Sequence, residues 1–265
     1  IIDELNSIPG AGHWAWVGEP VLDDGTVHYN DYPIRNEIIY RTNVVKPVGP
    51  ARTIADEAFD GFRPGDFEPL GRPPVAQTFA KAAAGEPNKV FTVVVNHFKS
   101  KGSSCSSIGD PFDPNGQGNC NLTRVVQAEV LMGFIADLQV WSDDDDVLII
   151  GDLNSYGMED PLDVIRGGGF TDLPDLFEGQ YSYSYVFDGQ LGSLDHALAS
   201  QSLLSQVRGA LSYHINADEP DILDYDMTFK SDSQDALFEP LPYRTSDHDP
   251  IVIGLNIANE NGKNG

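Results

Sequence analysis

Apolar runs that stop abruptly at polar clusters set the pattern of this chain. VLII at residues 147–150 ends at Gly151 and is followed at once by Asp152, Asn154 and Ser155. A short Val/Leu/Ile run bounded by polar residues reads as a fully buried strand, and the carboxyl ends of such strands are where open α/β sheets place their ligands. VFTVVV at 90–95 reads as a second central strand and runs into Asn96, His97, Lys99 and Lys101; VAQTF at 75–79 reads as a third. Two more clusters stand at the starts of apolar runs: Ser193-Leu194-Asp195-His196 opens LDHAL, and Ser246-Asp247-His248-Asp249 leads into IVIGL.

Helical periodicity is strongest over residues 121–139. There Val125, Val126, Leu131, Met132, Phe134, Ile135 and Leu138 share one broad face, and Asn121 or Thr123 can cap the start. This helix, between the strands at 90–95 and 147–150, predicts a β-α-β crossover. Shorter helices are expected at 1–8 and 159–165, the latter ended by Gly167-Gly168-Gly169. Strands are expected at 13–17, 34–40, 181–187 (with Tyr183 and Tyr185 on one face), 192–199, 211–216 and 251–257. Residues 59–74 and the acidic stretch 217–239 read as loops. Asp143 to Asp146 read as a solvated loop, because four adjacent carboxylates cannot converge on one ion. Residues 1–258 form one domain in this reading and 259–265 a flexible tail.

Charge changes the picture. The 265 residues carry 16 basic against 41 acidic groups, a net charge of −25. A broad basic face for gripping nucleic acid is therefore excluded, and a nuclease of this composition needs divalent cations and a few local Arg or Lys residues. No apolar stretch approaches the ~18 residues of a membrane span. Cys105 and Cys120 flank a loop rich in Ser, Gly, Asp and Pro, which packing alone holds poorly. A disulfide across it contributes roughly 3 kcal/mol in the loop-entropy model and implies an oxidising compartment: secreted, periplasmic or at the cell surface.

The chemistry that these clusters allow is hydrolytic. Carboxylates supply the hard oxygen ligands that Mg²⁺ or Ca²⁺ prefers, and histidines can donate to a phosphate or a leaving group. The chain holds no G-x-S-x-G elbow, Walker loop or H-E-x-x-H, and its two Cys lack zinc spacing.

HFKSKG, GDLNSYGMEDP, GSLDHALAS and SDHDPIV, in that order across about 150 residues, resemble the signatures of the endonuclease/exonuclease/phosphatase (deoxyribonuclease-I-like) superfamily, and are closest in wording to its secreted bacterial nucleases. The resemblance implies a four-layer α/β/β/α sandwich of two mixed, mainly antiparallel sheets. It implies catalytic roles for His97, Asp152, Asn154, Asp195 and His248: Asp152 on the attacking water, Asn154 on that water and the phosphoryl oxygen, His248 on the scissile phosphate, and Asp195 as the partner of His248. Asp247 and Asp152 match metal ligands, with Mg²⁺ the implied ion and Ca²⁺ or Mn²⁺ the alternatives. Arg72, His97 and Asn154 match phosphate contacts, although a lone surface Arg explains Arg72 as well. His196 should face away from the site. The family's Asn strand and its Gln-Glu metal ligand are not found, and the opening IIDELNSI looks like the helix after that Glu. The chain is therefore expected to lack an N-terminal part of the domain, which acts as a partner segment.

The activity so implied is divalent-metal-dependent hydrolysis of phosphodiester bonds in DNA with little base specificity. A phosphomonoesterase or a nucleotide or lipid phosphodiesterase is the alternative within enzymes. A non-catalytic calcium-binding surface domain is the alternative outside them, suggested by the Asp-rich loops at 110–115 and 218–226 and by the missing Glu.

Overall fold

A computed structural model describes residues 1–28, 34–61, 69–82, 89–224, 228 and 230–257. In chain order its elements are α1 (Ile2–Ser7), β1 (Trp14–Trp16), β2 (Ile39–Arg41), β3 (Val45–Pro47), α2 (Glu57–Asp60), β4 (Arg72–Lys81), β5 (Val90–His97), α3 (Asn121–Ser142), β6 (Val147–Asp152), α4 (Asp160–Gly167), β7 (Phe170–Asp172), α5 (Leu173–Glu178), β8 (Tyr185–Phe187), β9 (Gln190–Gly192), β10 (Asp195–Ser200), β11 (Val207–Ser212), α6 (Asp232–Asp235) and β12 (Ile251–Leu255).

The central sheet has six strands in the order β3-β4-β5-β6-β10-β7. Every pairing in it is antiparallel except β5 with β6, which the crossover through α3 makes parallel. Strand residues alternate faces. Ala76, Val94, Val147, Ile149 and Leu198 point to one side and pack on α3, α4 and Phe59 of α2. Val75, Phe79, Phe91, Leu148, Ala197 and Ala199 point to the other and meet α5 and the antiparallel pair β11–β12. This is the mixed α/β sandwich of the deoxyribonuclease-I-like fold, as the sequence predicts.

Four local expectations are corrected. Of the strand predicted at 34–40 only Ile39–Arg41 forms. Upstream, Asn36 is buried and donates to Pro73 O at 3.0 Å, while Arg35 pairs with Glu37 at 2.8 Å, so these polar groups bind neighbours instead of continuing a ladder. The face of α3 is also different. Val126 is 46% exposed, whereas Arg124 and Gln127 are fully buried, so the helix presents a polar stretch to the core near its start. Neither Asn121 nor Thr123 caps it: Cys120 holds that position in a left-handed conformation, and Asp110 accepts from Thr123 N at 2.8 Å in place of a cap. Within the Asp143–Asp146 run, Asp146 is buried and accepts from Gln206. The tail at 259–265, and residues 62–68 of the predicted loop, lie outside the described residues.

Candidate active site

The period-2 alternation aligns three strand ends. Asp152 pairs across from His97 on β5 and from Asp195 on β10, so all three leave the sheet on the side occupied by β11–β12. His248 enters from that side, three residues before β12 begins at Ile251. Its Nδ1 lies 2.7 Å from Asp195 Oδ2. Ser184 Oγ donates to the same oxygen at 2.8 Å, and the ring of Tyr185 covers the imidazole with centroids 4.6 Å apart. His97 Nε2 stands 3.7 Å from Asp152 Oδ2.

The turn after β6 is built for close approach. Gly151 has φ +126°, and a Cβ there would fall 2.0 Å from Asn96 O, so only glycine lets β5 and β6 converge at this point. Asp152 Oδ1 accepts from Asn154 N at 2.7 Å, the Asx turn that these residue types favour. Asn154 takes a left-handed φ of +48° and donates through Nδ2 to Asp152 Oδ2 and to Phe98 O, both at 3.1 Å. The amide and the acid are thus held in one fixed pair. Arg72 pairs with His97 across β4 and β5, which brings its charge to the same end of the sheet. Asp247 is exposed and stays outside the group formed by Asp152, Asp195 and His248, whose ligand atoms lie within 4.8 Å of one another.

Burial and charge push the titrations apart. Burial lowers the His97 pKa to about 4, with Arg72 and His248 acting in the same direction, so this imidazole is neutral at pH 7. For His248 burial also acts downward, but the hydrogen bond and the charge of Asp195, with Asp152 and Asp247, prevail and raise it to about 9. Asp152 is raised to about 6, first by burial and then by Asp195 beside it. One neutral histidine, one cationic histidine and a carboxylate of elevated basicity are the parts that general acid–base chemistry needs.

Two buried arrangements escaped the sequence. His196 turns to the opposite face of β10, as alternation requires, and has both ring nitrogens bonded, to Asp172 at 2.7 Å and to Ser155 O at 2.8 Å. Arg124 is fully buried and donates to Ser155 Oγ at 3.2 Å, Lys99 O at 3.2 Å, Asn119 O at 2.8 Å and Gln117 O at 3.2 Å, with Glu159 3.6 Å away. The motifs flagged Ser155, Lys99 and His196, and the expectation that His196 faces away from the site holds, but the partners Asp172 and Arg124 carried no signal. The loop in which Gln117 and Asn119 lie is closed by the Cys105–Cys120 disulfide that its composition predicted.

A mixed sheet of this order, helices over one face, a second antiparallel pair over the other, and acids and histidines meeting at strand ends define the class: the fold is that of the endonuclease/exonuclease/phosphatase proteins. No protein-family model and no curated protein sequence matches the chain. Among solved structures it is similar to a mannosyl-6-phosphatase of Bacteroides thetaiotaomicron, with 15% identity, 96% of this chain and 80% of that one covered, and a TM-score of 0.52. It is also similar to an endonuclease/exonuclease/phosphatase family protein of the same organism (17% identity, 80% and 68% covered, TM-score 0.50). A conserved protein of unknown function from Enterococcus faecalis gives 15%, 83% and 71%, and 0.50. Likeness at such identities is likeness of fold. Among the described residues no helix is long and apolar enough to cross a membrane.

Proposed function

We propose that this protein is a divalent-metal-dependent phosphoesterase, secreted or held at the cell surface, that hydrolyses phosphodiester bonds in DNA with little base specificity. The observation that carries the reading is the convergence of Asp152, Asp195 and His248 within 4.8 Å at aligned strand ends, with His97 3.7 Å from Asp152.

The donor set suits a cation. Two acids lie close together in a partly desolvated place, and the carboxyl of Asp152 is raised first by burial and then by Asp195, a cost that a bound divalent ion would relieve. Asp152 would hold the ion, with Asp195 and His248 nearest to it in the fold and Asp247 the further carboxylate that the family motif assigns. A bound Mg²⁺ supplies neutralisation of the phosphoryl oxygens; Ca²⁺ and Mn²⁺ are the other hard candidates.

The protein's own groups do the rest. Asp152, ionised above about pH 6, orients the attacking water and takes its proton as the new O–P bond forms. Asn154, fixed against Asp152, holds the water and a phosphoryl oxygen. His248, cationic and held by Asp195, gives its proton to the leaving oxygen as the old P–O bond breaks. His97 and Arg72 contact the phosphate from the neighbouring strands.

A phosphomonoesterase is the second reading. The charge of −25 favours a small substrate over a polyanion, and the mannosyl-6-phosphatase shares the fold over 96% of this chain. Plasmid cleavage and phosphate release from a sugar monoester, each measured with Mg²⁺ and with EDTA, separate the two. Metal-dependent nicking without monoester turnover supports the nuclease. Turnover of the monoester alone overturns it.

A further inference from the structure

One buried residue to which the chemistry above gives no role, Asn216, commits itself wholly to the segment that carries Asp247 and His248. β11 and β12 run antiparallel, so the chain leaving β11 at Ser212 and the chain entering β12 at Ile251 come off the same end of the pair. Tyr213 N donates to Pro250 O at 2.9 Å, one rung beyond the strands. Past that rung both segments leave the ladder, and their buried backbone groups need other partners. Asp249 supplies one set. Its fully buried carboxylate accepts from the amides of Ile215 at 3.1 Å and of Asn216 and Ala217 at 2.9 Å through Oδ1, while His214 Nδ1 lies 2.8 Å from Oδ2. Asp249 N in turn donates at 2.7 Å to the carbonyl of Ser184, the residue whose hydroxyl bonds Asp195.

Asn216 answers from the other side. It is buried, and each of its polar groups goes to the same short segment. Its N–H donates to Asp249, its carbonyl accepts from Arg244 Nη1 at 3.2 Å, Oδ1 accepts from Thr245 N at 3.1 Å, and Nδ2 donates to His248 O at 2.8 Å. An N–H on one side and a carbonyl on the other leave the side-chain amide a single orientation. These contacts fall on residues 244, 245, 248 and 249, so they bracket Ser246 and Asp247. Within the bracket His248 N donates to Ser246 Oγ at 3.0 Å, which closes the turn. Arg244 keeps a left-handed φ of +54° at the near end, a conformation that a non-glycine residue holds only where its surroundings fix it; Ile215 O accepts from its N–H at 3.3 Å. With both ends held, the turn leaves Asp247 exposed and delivers His248 Nδ1 to within 2.7 Å of Asp195.

We propose that Asn216 is a positioning residue for the phosphoester chemistry: its side-chain amide fixes both ends of the 245–248 turn and thereby sets His248 against Asp195. The inference rests on the phosphoesterase reading and adds to it a group that acts through His248 without touching the substrate. Loss of the amide leaves His248 in place chemically but free to drift, and a misplacement of about 1 Å can cost on the order of a hundredfold in rate.

The test measures hydrolysis of bis(p-nitrophenyl) phosphate and of p-nitrophenyl phosphate with Mg²⁺, one a diester and one a monoester, well below the melting temperature of each variant. Asn216→Ala removes the amide. Asn216→Asp has the same size and still accepts from Thr245 N, but it cannot donate to His248 O, and it carries the test should Asn216→Ala unfold. On the substrate that the wild type turns over, kcat should fall about ten- to a hundredfold with KM within about twofold, since what is lost acts in the transition state and not in binding. Tyr183→Phe should keep both constants, because it removes only the hydroxyl's bonds to Asp218 at 3.0 and 3.1 Å on the far side of the same loop. Proton NMR of the EDTA-treated protein gives a readout without turnover: the downfield signal of the His248 Nδ1 proton, held by Asp195, should move upfield or broaden in both Asn216 variants and stay in Tyr183→Phe. A folded variant with wild-type kcat, an unmoved proton signal, or an equal fall in Tyr183→Phe overturns the positioning role while the phosphoesterase reading stands. Wild-type protein that hydrolyses neither ester overturns that reading and the inference together.

Discussion

Replacing Asp195 by Asn keeps the shape and the hydrogen-bond acceptor near Ser184 and removes the charge that supports His248. The imidazole has its pKa raised from 6.5 to about 9, and the largest upward causes are the hydrogen bond and charge of Asp195. The difference, about 2.5 units, corresponds to about 3 kcal/mol at 1.36 kcal/mol per unit. Since folding raises this pKa, the contribution to stability is full below pH 6.5 and fades as pH climbs to about 9. In Asp195→Asn burial acts without its main opponent and only Asp152 and Asp247 still favour the cation, so the imidazole should titrate well below its wild-type value. Activity should then fall by two to four orders of magnitude in kcat, on the scale of losing a positioned general acid or its orienting partner. Proton NMR of the His248 ring in EDTA-treated protein reads the titration, and Mg²⁺-dependent cleavage reads the rate. A His248 titration within half a unit of wild type, together with activity within about threefold, would refute the assigned pairing.

Further outcomes follow from the same geometry. With Asp152 needed as the base and His248 as the acid, kcat/KM should rise with pH through about 6 and fall through about 9, the acid limb moving lower when a divalent ion is bound; a flat profile between pH 5 and 10 contradicts the roles. Asp152→Asn should weaken Mn²⁺ binding at least about tenfold by calorimetry, and a larger loss in Asp247→Asn would make the exposed carboxylate the principal ligand. Reducing the Cys105–Cys120 bridge, which closes a separation of 15 residues, should cost roughly 3 kcal/mol in denaturant unfolding, and an unchanged midpoint would show the loop holding itself. Gly151→Ala should destabilise by several kcal/mol, since the added methyl meets Asn96 O at 2.0 Å in a left-handed backbone; a variant as stable as wild type would mean that the strands part without cost.

What could be read from the residues alone divides along a physical line. His97, Asp152, Asn154, Asp195 and His248 stand where apolar runs begin or end, so the period-2 pattern that makes the strands also says which neighbours share a face. Their convergence is visible in short words of sequence. Arg124 and Gln127 gave no such signal, because on a helix a charged residue among apolar ones reads as part of the solvated face. What satisfies Arg124 inside the core is a set of groups scattered along the chain: the carbonyls at positions 99, 117 and 119, the hydroxyl of Ser155 and the nearby carboxylate of Glu159. The partners of Asp172 and Ser184 lie 24 and 11 residues away, and neither separation belongs to a helix or a strand pattern. Residues 34–38 depart from the expected strand because their polar side chains take other partners, Asn36 the carbonyl of Pro73 and Arg35 the carboxylate of Glu37.

One guanidinium joins the turn of Ser155, the end of the His97 segment and the disulfide-closed loop. These pieces cannot open one at a time, since releasing any of them leaves a buried cation without its acceptors. Amide protons across residues 99, 117–119 and 155 should therefore exchange with solvent through a single shared opening, with one free energy and one dependence on denaturant.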